Sequence, residues 1–145
     1  MICFEPTASG GAKELHVPAE KESLALVNDF VDSFLEEHDC PMKAQMQIDL
    51  CVEEAFVNIA SYAYGGDKGD ATIRLEETDG TVALTLIDSG TPYDPLARDD
   101  PDISLSAEDR QIGGLGIFLI KKSMDTVEYR YENGRNILRM TKKLN

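Results

Sequence analysis

The chain has 145 residues, 27 acidic against 14 basic side chains, and a formal net charge of −13. Domains average roughly 100–200 residues, so we expect one domain over 1–145. The acidity argues against a nucleic-acid binder and against binding to an anionic membrane surface, because both need clustered Lys and Arg. No apolar run approaches the roughly 20 residues that cross a bilayer, so the sequence predicts a soluble, cytoplasmic protein.

The first half of the chain predicts one strand followed by two helices. Residues 1–12 are poorly patterned and are expected to be disordered or loosely attached, whereas the alternation in 14–17 predicts a short strand. A helical pattern over 19–38 follows. A second, longer helix is predicted over 42–64, and its apolar face consists of Ile48, Cys51, Val52, Ala55 and Ile59.

The second half predicts two hairpins separated by a loop and a helix. The stretch 71–90 alternates apolar and polar residues on both sides of Asp79-Gly80, a strong hairpin signal. Residues 91–112 are rich in Pro and Asp without any period, and a glycine cluster then begins a helix that ends near 123. A second hairpin turns at Asn133-Gly134. This order predicts an α+β fold, a two-layer sandwich with a mixed, mostly antiparallel sheet and helices on one face.

The second helix carries a candidate catalytic pair. Glu54 and Asn58 are four residues apart, so both side chains project from the same side of the helix, about one turn apart. A carboxylate is a base, and an amide oxygen is the kind of ligand that Mg²⁺ accepts. A solvated helix face in an acidic protein is the structural alternative. The neighbouring Glu53 is one step round the helix and is expected to be solvated.

Two further candidates follow along the chain. Asp88 ends a well-patterned strand, and Gly90 follows it. The carboxylate could accept a hydrogen bond from the amino group of adenine, and the glycine would let the flat ring approach the backbone. An ordinary turn at the end of a strand is the alternative.

The glycine cluster is a candidate phosphate-binding site, because backbone N–H groups and the positive end of a helix meet there. It matches neither the phosphate-loop nor the dinucleotide-binding motif, so a flexible turn remains open. Arg110, just before the cluster, has the length to reach phosphate oxygens or to pair with nearby carboxylates.

The segments EEAFVN (53–58), DSGTP (88–92) and GGLGIFLI (113–120) occur in this order, and the set is more specific than any member. Together they resemble the N box and the two glycine boxes of the Bergerat-fold (GHKL) ATPases, which include gyrase, heat-shock chaperones and histidine kinases. Within that superfamily, VEEAFVNIASYAYG and IGGLGIFLIKKSMDTVEY are most similar to the bacterial anti-sigma factor serine/threonine kinases. The resemblance extends over 14–144, nearly the entire chain.

The resemblance implies ATP and Mg²⁺ as cofactors and a role for each candidate residue. Glu54 matches the general base, Asn58 the Mg²⁺ ligand, and Asp88 the carboxylate that accepts from the adenine amino group. The resemblance implies the remaining nucleotide contacts at Gly90 beneath the adenine and at the backbone of Gly114, Leu115 and Gly116. Gly113 and Arg110 are further candidates from the glycine cluster itself. The loop over 91–112 becomes the ATP lid.

The resemblance also implies an activity and its partners. It predicts a kinase that phosphorylates a serine or threonine of an anti-anti-sigma (STAS) protein and binds a sigma factor or another regulator, and it implies a homodimer. A nucleotide-gated binding module that transfers no phosphate is the alternative; an ATP hydrolase and an isolated histidine-kinase catalytic domain rank lower. The chain departs from the family in Tyr62, where many members have His, and in an acidic lid.

Overall fold

The computed structural model describes residues 3–6, 12–94 and 114–144, with side chains over 12–94 and 118–144. The elements in chain order are β1 (Cys3–Pro6), β2 (Lys13–Pro18), α1 (Leu24–Glu37), α2 (Met42–Asn58), β3 (Asp70–Thr78), β4 (Thr81–Asp88), α3 (Gly114–Ser123), β5 (Thr126–Glu132) and β6 (Arg135–Lys143). A 3-10 turn (Lys21–Ser23) leads into α1, and a π-helical turn (Ile59–Ala63) follows α2.

The strands form one six-stranded sheet in the order β1-β2-β3-β4-β6-β5. Within the described residues every neighbouring pair of strands is antiparallel. The sequence did not predict β1, which pairs with β2 from Cys3 opposite His16 to Pro6 opposite Lys13. The predicted α+β fold with a mostly antiparallel sheet is confirmed.

One hydrophobic core lies between the sheet and the helices. Residues at every second position of β3 and β4 point into it, for example Ile73 opposite Leu86 and Leu75 opposite Leu84. The helical members of the core come from all three helices and are Val27, Phe30, Val31, Phe34, Leu35, Ala44, Ile48, Cys51, Val52, Ala55, Phe56 and Ile120. The helices therefore cover one face of the sheet, as the sequence predicted.

Both predicted hairpins are present with the turns expected for them. Asp79 and Gly80 have φ of 49° and 81°, and Asn133 and Gly134 have φ of 53° and 76°. Two consecutive residues with positive φ match the twist of the flanking strands, and the pairs Asp-Gly and Asn-Gly adopt this conformation readily. The first hairpin places β4 beside β3, and β4 pairs with β6 on its other edge, so it lies in the interior of the sheet.

The helices differ from the prediction at their ends. The helix predicted over 19–38 begins as a 3-10 turn, and α1 itself starts at Leu24. The helix predicted over 42–64 ends as α-helix at Asn58 and continues as a π-helical turn. None of the helices in the described part of the chain has the length and apolarity needed to cross a membrane.

Candidate functional site

The candidate catalytic pair lies on the last turns of α2. Buried residues on one side of this helix, among them Cys51, Val52 and Ala55, pack into the core and fix its rotation. Glu54 and Asn58 are both half-buried, whereas Glu53 is exposed, as expected. Glu54 and Asn58 make no side-chain hydrogen bond or ion pair with the described residues, so a carboxylate and an amide are available one turn apart.

The π-helical turn connects this end of α2 with the end of β4. The backbone N–H of Thr91 donates to the carbonyl oxygen of Ala63 at 2.7 Å. A Cβ atom built on Gly90 would lie 2.1 Å from the same oxygen, far inside van der Waals contact. Gly90 therefore allows the two backbones to approach, and π-helical turns are frequent at functional sites. The EEAFVN and DSGTP motifs are joined through this contact.

Asp88 is held by one donor from the residues that follow it and by one donor from the neighbouring strand β6. Its Oδ1 atom accepts from the backbone N–H of Gly90 and from Nδ2 of Asn136, each at 2.9 Å. Asp88 and Asn136 lie opposite each other on β4 and β6 and are 6% and 7% exposed. Within the described residues Oδ2 of Asp88 accepts no hydrogen bond, so one carboxylate oxygen remains as an acceptor for a ligand.

Asn136 also organises the loop that follows Asp88. Its Nδ2 atom donates to the carbonyl oxygen of Thr91 at 3.0 Å. Its Oδ1 atom accepts from the backbone N–H of Tyr93 at 3.2 Å and from the hydroxyl of Tyr129. The amide thus fixes both the carboxylate and the first residues of the predicted lid. Sequence analysis did not single out Asn136, because nothing local distinguishes it from other polar strand residues.

Tyr64 is a second residue that sequence analysis missed. Its hydroxyl donates to the carbonyl oxygen of Asp70 at 2.5 Å and accepts from the backbone N–H of Ser89 at 2.9 Å. Burial raises the pKa of Tyr64, so the hydroxyl keeps its proton and can donate. The side chain connects the start of β3 to the residue after Asp88. Tyr62, the departure noted above, is 59% exposed.

The glycine cluster is described in part. α3 begins at Gly114, as the sequence predicted, and runs through Leu115 and Gly116 to Ser123. The first turn of an α-helix has N–H groups without partners inside the helix and a partial positive charge, which are the conditions under which phosphate binds. Arg110, Gly113 and the lid residues 95–112 lie outside the described residues. Their roles, and those of the other candidate site residues, stay predictions.

Comparison with known proteins identifies the family. The model for the histidine kinase-like ATPase domain matches residues 17–142. The serine/threonine-protein kinase BtrW of Bordetella bronchiseptica is 32% identical over 100 residues, covering 68% of this chain and 70% of that protein. The serine-protein kinase RsbW of Listeria monocytogenes is 29% identical over 136 residues, covering 90% of this chain and 86% of that protein.

A solved structure agrees at the level of the fold. The RsbU and RsbW domains of Rv1364c from Mycobacterium tuberculosis superpose with a TM-score of 0.61 at 16% identity, over 90% of this chain and 32% of that one. The predicted resemblance to the Bergerat-fold ATPases and the anti-sigma factor kinases is confirmed by these matches. The chain belongs to the histidine kinase-like ATPase domain family.

Proposed function

We propose that this protein is an ATP-dependent serine/threonine kinase that phosphorylates an anti-anti-sigma (STAS) partner and, through that reaction, controls its own binding of a sigma factor or another regulator. The observation that carries the proposal is the Thr91–Ala63 hydrogen bond, which attaches the Asp88 end of β4 to the Glu54–Asn58 end of α2. An adenine acceptor and a candidate base with its metal ligand are thereby held in one scaffold. The kinase names of the relatives support the same activity.

Nucleotide binding is assigned to three groups. Asp88 accepts from the adenine amino group through its remaining oxygen, since Oδ1 already has two donors. The N–H groups at the start of α3, from Gly114 to Gly116, take the phosphates, with Gly113 and Arg110 extending this contact. In this proposal residues 91–112 close over the triphosphate as the lid.

The residues present also suit Mg²⁺. Asn58 offers an amide oxygen that has no partner in the described structure, and Mg²⁺ prefers a small number of protein oxygens together with phosphates and waters. Among the described residues no group of three or more His, Cys, Asp and Glu side chains forms a metal cage. The ion would therefore be held jointly by Asn58 and the nucleotide. When bound, it neutralises charge on the phosphates.

Glu54 acts as the base in the transfer step. Its carboxylate accepts the proton of the partner's serine or threonine hydroxyl, and the hydroxyl oxygen forms a bond to the γ-phosphorus. The bond between the γ-phosphorus and the β,γ-bridging oxygen breaks, and ADP leaves. The N–H groups at the start of α3 stabilise the charge on the transferring phosphoryl group. The products are ADP and a phosphorylated partner.

The decisive experiment compares Glu54→Gln with Glu53→Gln. Both changes remove one carboxylate from the same turn of α2, but Glu54 is half-buried and belongs to the candidate pair, whereas Glu53 is exposed. We expect Glu54→Gln to lower the transfer of labelled γ-phosphate to purified STAS partners by roughly 10²–10⁴-fold, the usual contribution of a general base. ATP affinity, measured by titration calorimetry with and without Mg²⁺, should stay within a factor of two or so.

Glu53→Gln should leave ATP affinity unchanged and should keep the wild-type kcat of transfer at a saturating concentration of the partner. Loss of ATP binding together with transfer in Glu54→Gln would contradict the assigned division of roles. Mg²⁺-dependent ATP binding by the wild-type chain without any transfer would instead favour the nucleotide-gated binding module.

A further inference from the structure

Three large apolar side chains form an exposed row on α2. Met42 is 71% exposed, Met46 64% and Leu50 41%. They are spaced by four residues and therefore lie one above another along the helix; we call this row the α2 ridge. Single exposed apolar residues are ordinary, but a contiguous row of them marks an interaction surface.

The α2 ridge leads to the candidate catalytic pair. Continuing the same spacing from Leu50 gives Glu54 and then Asn58. Each step of four residues rises about 6 Å, so the ridge extends from about 6 to about 18 Å from Glu54 along the helix axis. A protein bound along the ridge would lie beside the residue that accepts the hydroxyl proton. The surface is thus continuous with the candidate functional site.

Carboxylates crowd the side of the ridge that faces α1. Asp49 of α2 interacts with Asp32 and Glu36 of α1 and with Glu53 of its own helix, and we call these four residues the acidic flank. Burial and these neighbours raise the pKa of Asp49 to about 8. The ion pairs of the described residues join other partners: Lys13–Glu37, Arg74–Glu14, Arg74–Glu76 and Arg130–Glu132. The flank is therefore not neutralised by a described Lys or Arg.

The acidic flank has few donors within the described structure. The Oδ1 atom of Asp49 is buried and accepts no hydrogen bond there. Gln45 supplies one donor nearby, from Nε2 to Oδ1 of Asp32 at 3.2 Å. The exposed members of the flank, Glu36 and Glu53, are the carboxylates that a guanidinium or ammonium group of a partner would reach and bind by charge-assisted hydrogen bonds.

We propose that the α2 ridge and the acidic flank form the docking surface for the protein substrate, whose contact face carries Arg or Lys beside apolar side chains. This inference rests on the proposed kinase function and adds to it the chemistry that selects the substrate. The apolar side chains cover the ridge, the cation meets the flank, and the substrate hydroxyl lies near Glu54.

Charge favours this occupant over the other candidates. A second copy of the chain, paired face to face about a two-fold axis, would set acidic flank against acidic flank at a net charge of −13 for each copy. An anionic lipid surface would be repelled for the same reason. A basic and apolar protein face is attracted, and its association should slow as salt rises.

The test uses Leu50→Ser with Leu26→Ser as its matched control. Leu26 on α1 is 43% exposed, close to the 41% of Leu50. Leu26 is three and seven residues before Asp29 and Ser33, which line a cavity against Leu15 of β2, so it lies on that side of α1 and outside the acidic flank. The probes are the purified STAS proteins of the source organism, tested one at a time. KM and kcat are measured for γ-phosphate transfer, and ATP affinity is measured in parallel.

We expect Leu50→Ser to raise KM for the substrate protein by roughly tenfold, the size of a typical interface anchor, while ATP affinity stays unchanged. Leu26→Ser should change KM by less than about twofold, as peripheral residues do. Glu36→Lys, on the flank, should also raise KM and reduce its salt dependence. This second variant provides the same test if Leu50→Ser fails to bind ATP.

Different outcomes overturn different claims. Equal KM values for wild type, Leu50→Ser and Glu36→Lys would overturn the docking surface and leave the kinase assignment intact. Absence of transfer by the wild-type chain to any STAS protein would overturn the proposed function and this surface together. A dimer that sediments as a monomer after Leu50→Ser would show that a second copy occupies the ridge, which also overturns the proposal.

Discussion

At the residue scale, Asp88 has one oxygen fixed by the protein and one left for a ligand. The donor set at Oδ1, Asn136 and the N–H of Gly90, orients the carboxylate before any nucleotide arrives. Preorganisation of this kind lowers the cost of binding, because the side chain loses no further rotamer freedom. The adenine contact in this proposal therefore depends on a residue that itself need not touch adenine.

The first prediction concerns Asn136→Ala. The change removes one of the two donors to Oδ1 of Asp88, and it leaves the Thr91 carbonyl without its Asn136 donor and the Tyr129 hydroxyl without its Asn136 acceptor. An unsatisfied buried polar group costs about 1–3 kcal/mol. Water reaches some of the groups that lose a partner here, so the total loss of stability should stay near the upper end of the range for a single group. We expect urea unfolding to show a loss of about 2–3 kcal/mol.

Calorimetry on the same variant should show weaker ATP binding with no change in the Mg²⁺ dependence. Glu132→Ala on the same hairpin is the control, because Glu132 is exposed and lies outside this network. If Asn136→Ala loses stability but binds ATP as tightly as wild type, Asn136 is structural and does not position Asp88.

At the element scale, α1 and α2 pack with carboxylates between them. Asp49 of α2 has its pKa raised to about 8, first by burial and then by Asp32, Glu36 and Glu53. A carboxyl group with a raised pKa holds its proton longer in the folded than in the unfolded chain. The free energy of unfolding therefore decreases as pH rises from about 4, near the ordinary pKa of Asp, to about 8.

The second prediction follows from this linkage. Asp49→Asn removes the ionisation, so the variant should be more stable than wild type at pH 7 to 8, with the difference shrinking toward about pH 4. Asp29→Asn on the exposed side of α1 serves as the control and should leave the pH profile unchanged. Urea unfolding across this pH range measures both. A variant whose profile parallels wild type would assign the pH dependence to other groups.

The π-helical turn after α2 is a feature that the sequence pattern did not predict. The apolar spacing of the second helix predicts its core face correctly, but it also extends the helix through 64. The wider turn is associated with tertiary contacts, the hydrogen bond from Thr91 to Ala63 and the close approach of Gly90. Gly90 and Thr91 are far from residue 63 in sequence, so the local sequence pattern does not indicate that the α-helix changes to a π-helical turn.

At the scale of the whole molecule, features that depend on local chemistry were predictable and those that depend on distant partners were not. Both hairpins follow from Asp-Gly and Asn-Gly pairs, which favour positive φ without tertiary help. Asn136 is separated by 48 residues from Asp88, and Tyr64 by 25 from Ser89, so only the folded sheet brings these groups together. The short strand β1 has too few residues to show a periodic pattern.

The last prediction concerns the stability of the whole domain with nucleotide. A ligand that binds only the folded chain stabilises it by RT ln(1 + [L]/Kd), about 2.7 kcal/mol at one hundred times Kd. In a domain of this size each kcal/mol raises Tm by about 2–4 °C, so saturating Mg²⁺ and ATP should raise Tm by roughly 5–10 °C in a thermal scan. GTP presents a carbonyl oxygen where ATP has the amino group, and that oxygen would face the Asp88 carboxylate. GTP should therefore raise the Tm of the wild-type chain little or not at all. ATP should likewise have little or no effect on the Tm of Asp88→Asn. Equal shifts for ATP and GTP would mean that Asp88 does not select the base, and that the phosphate contacts at the start of α3 supply the binding energy.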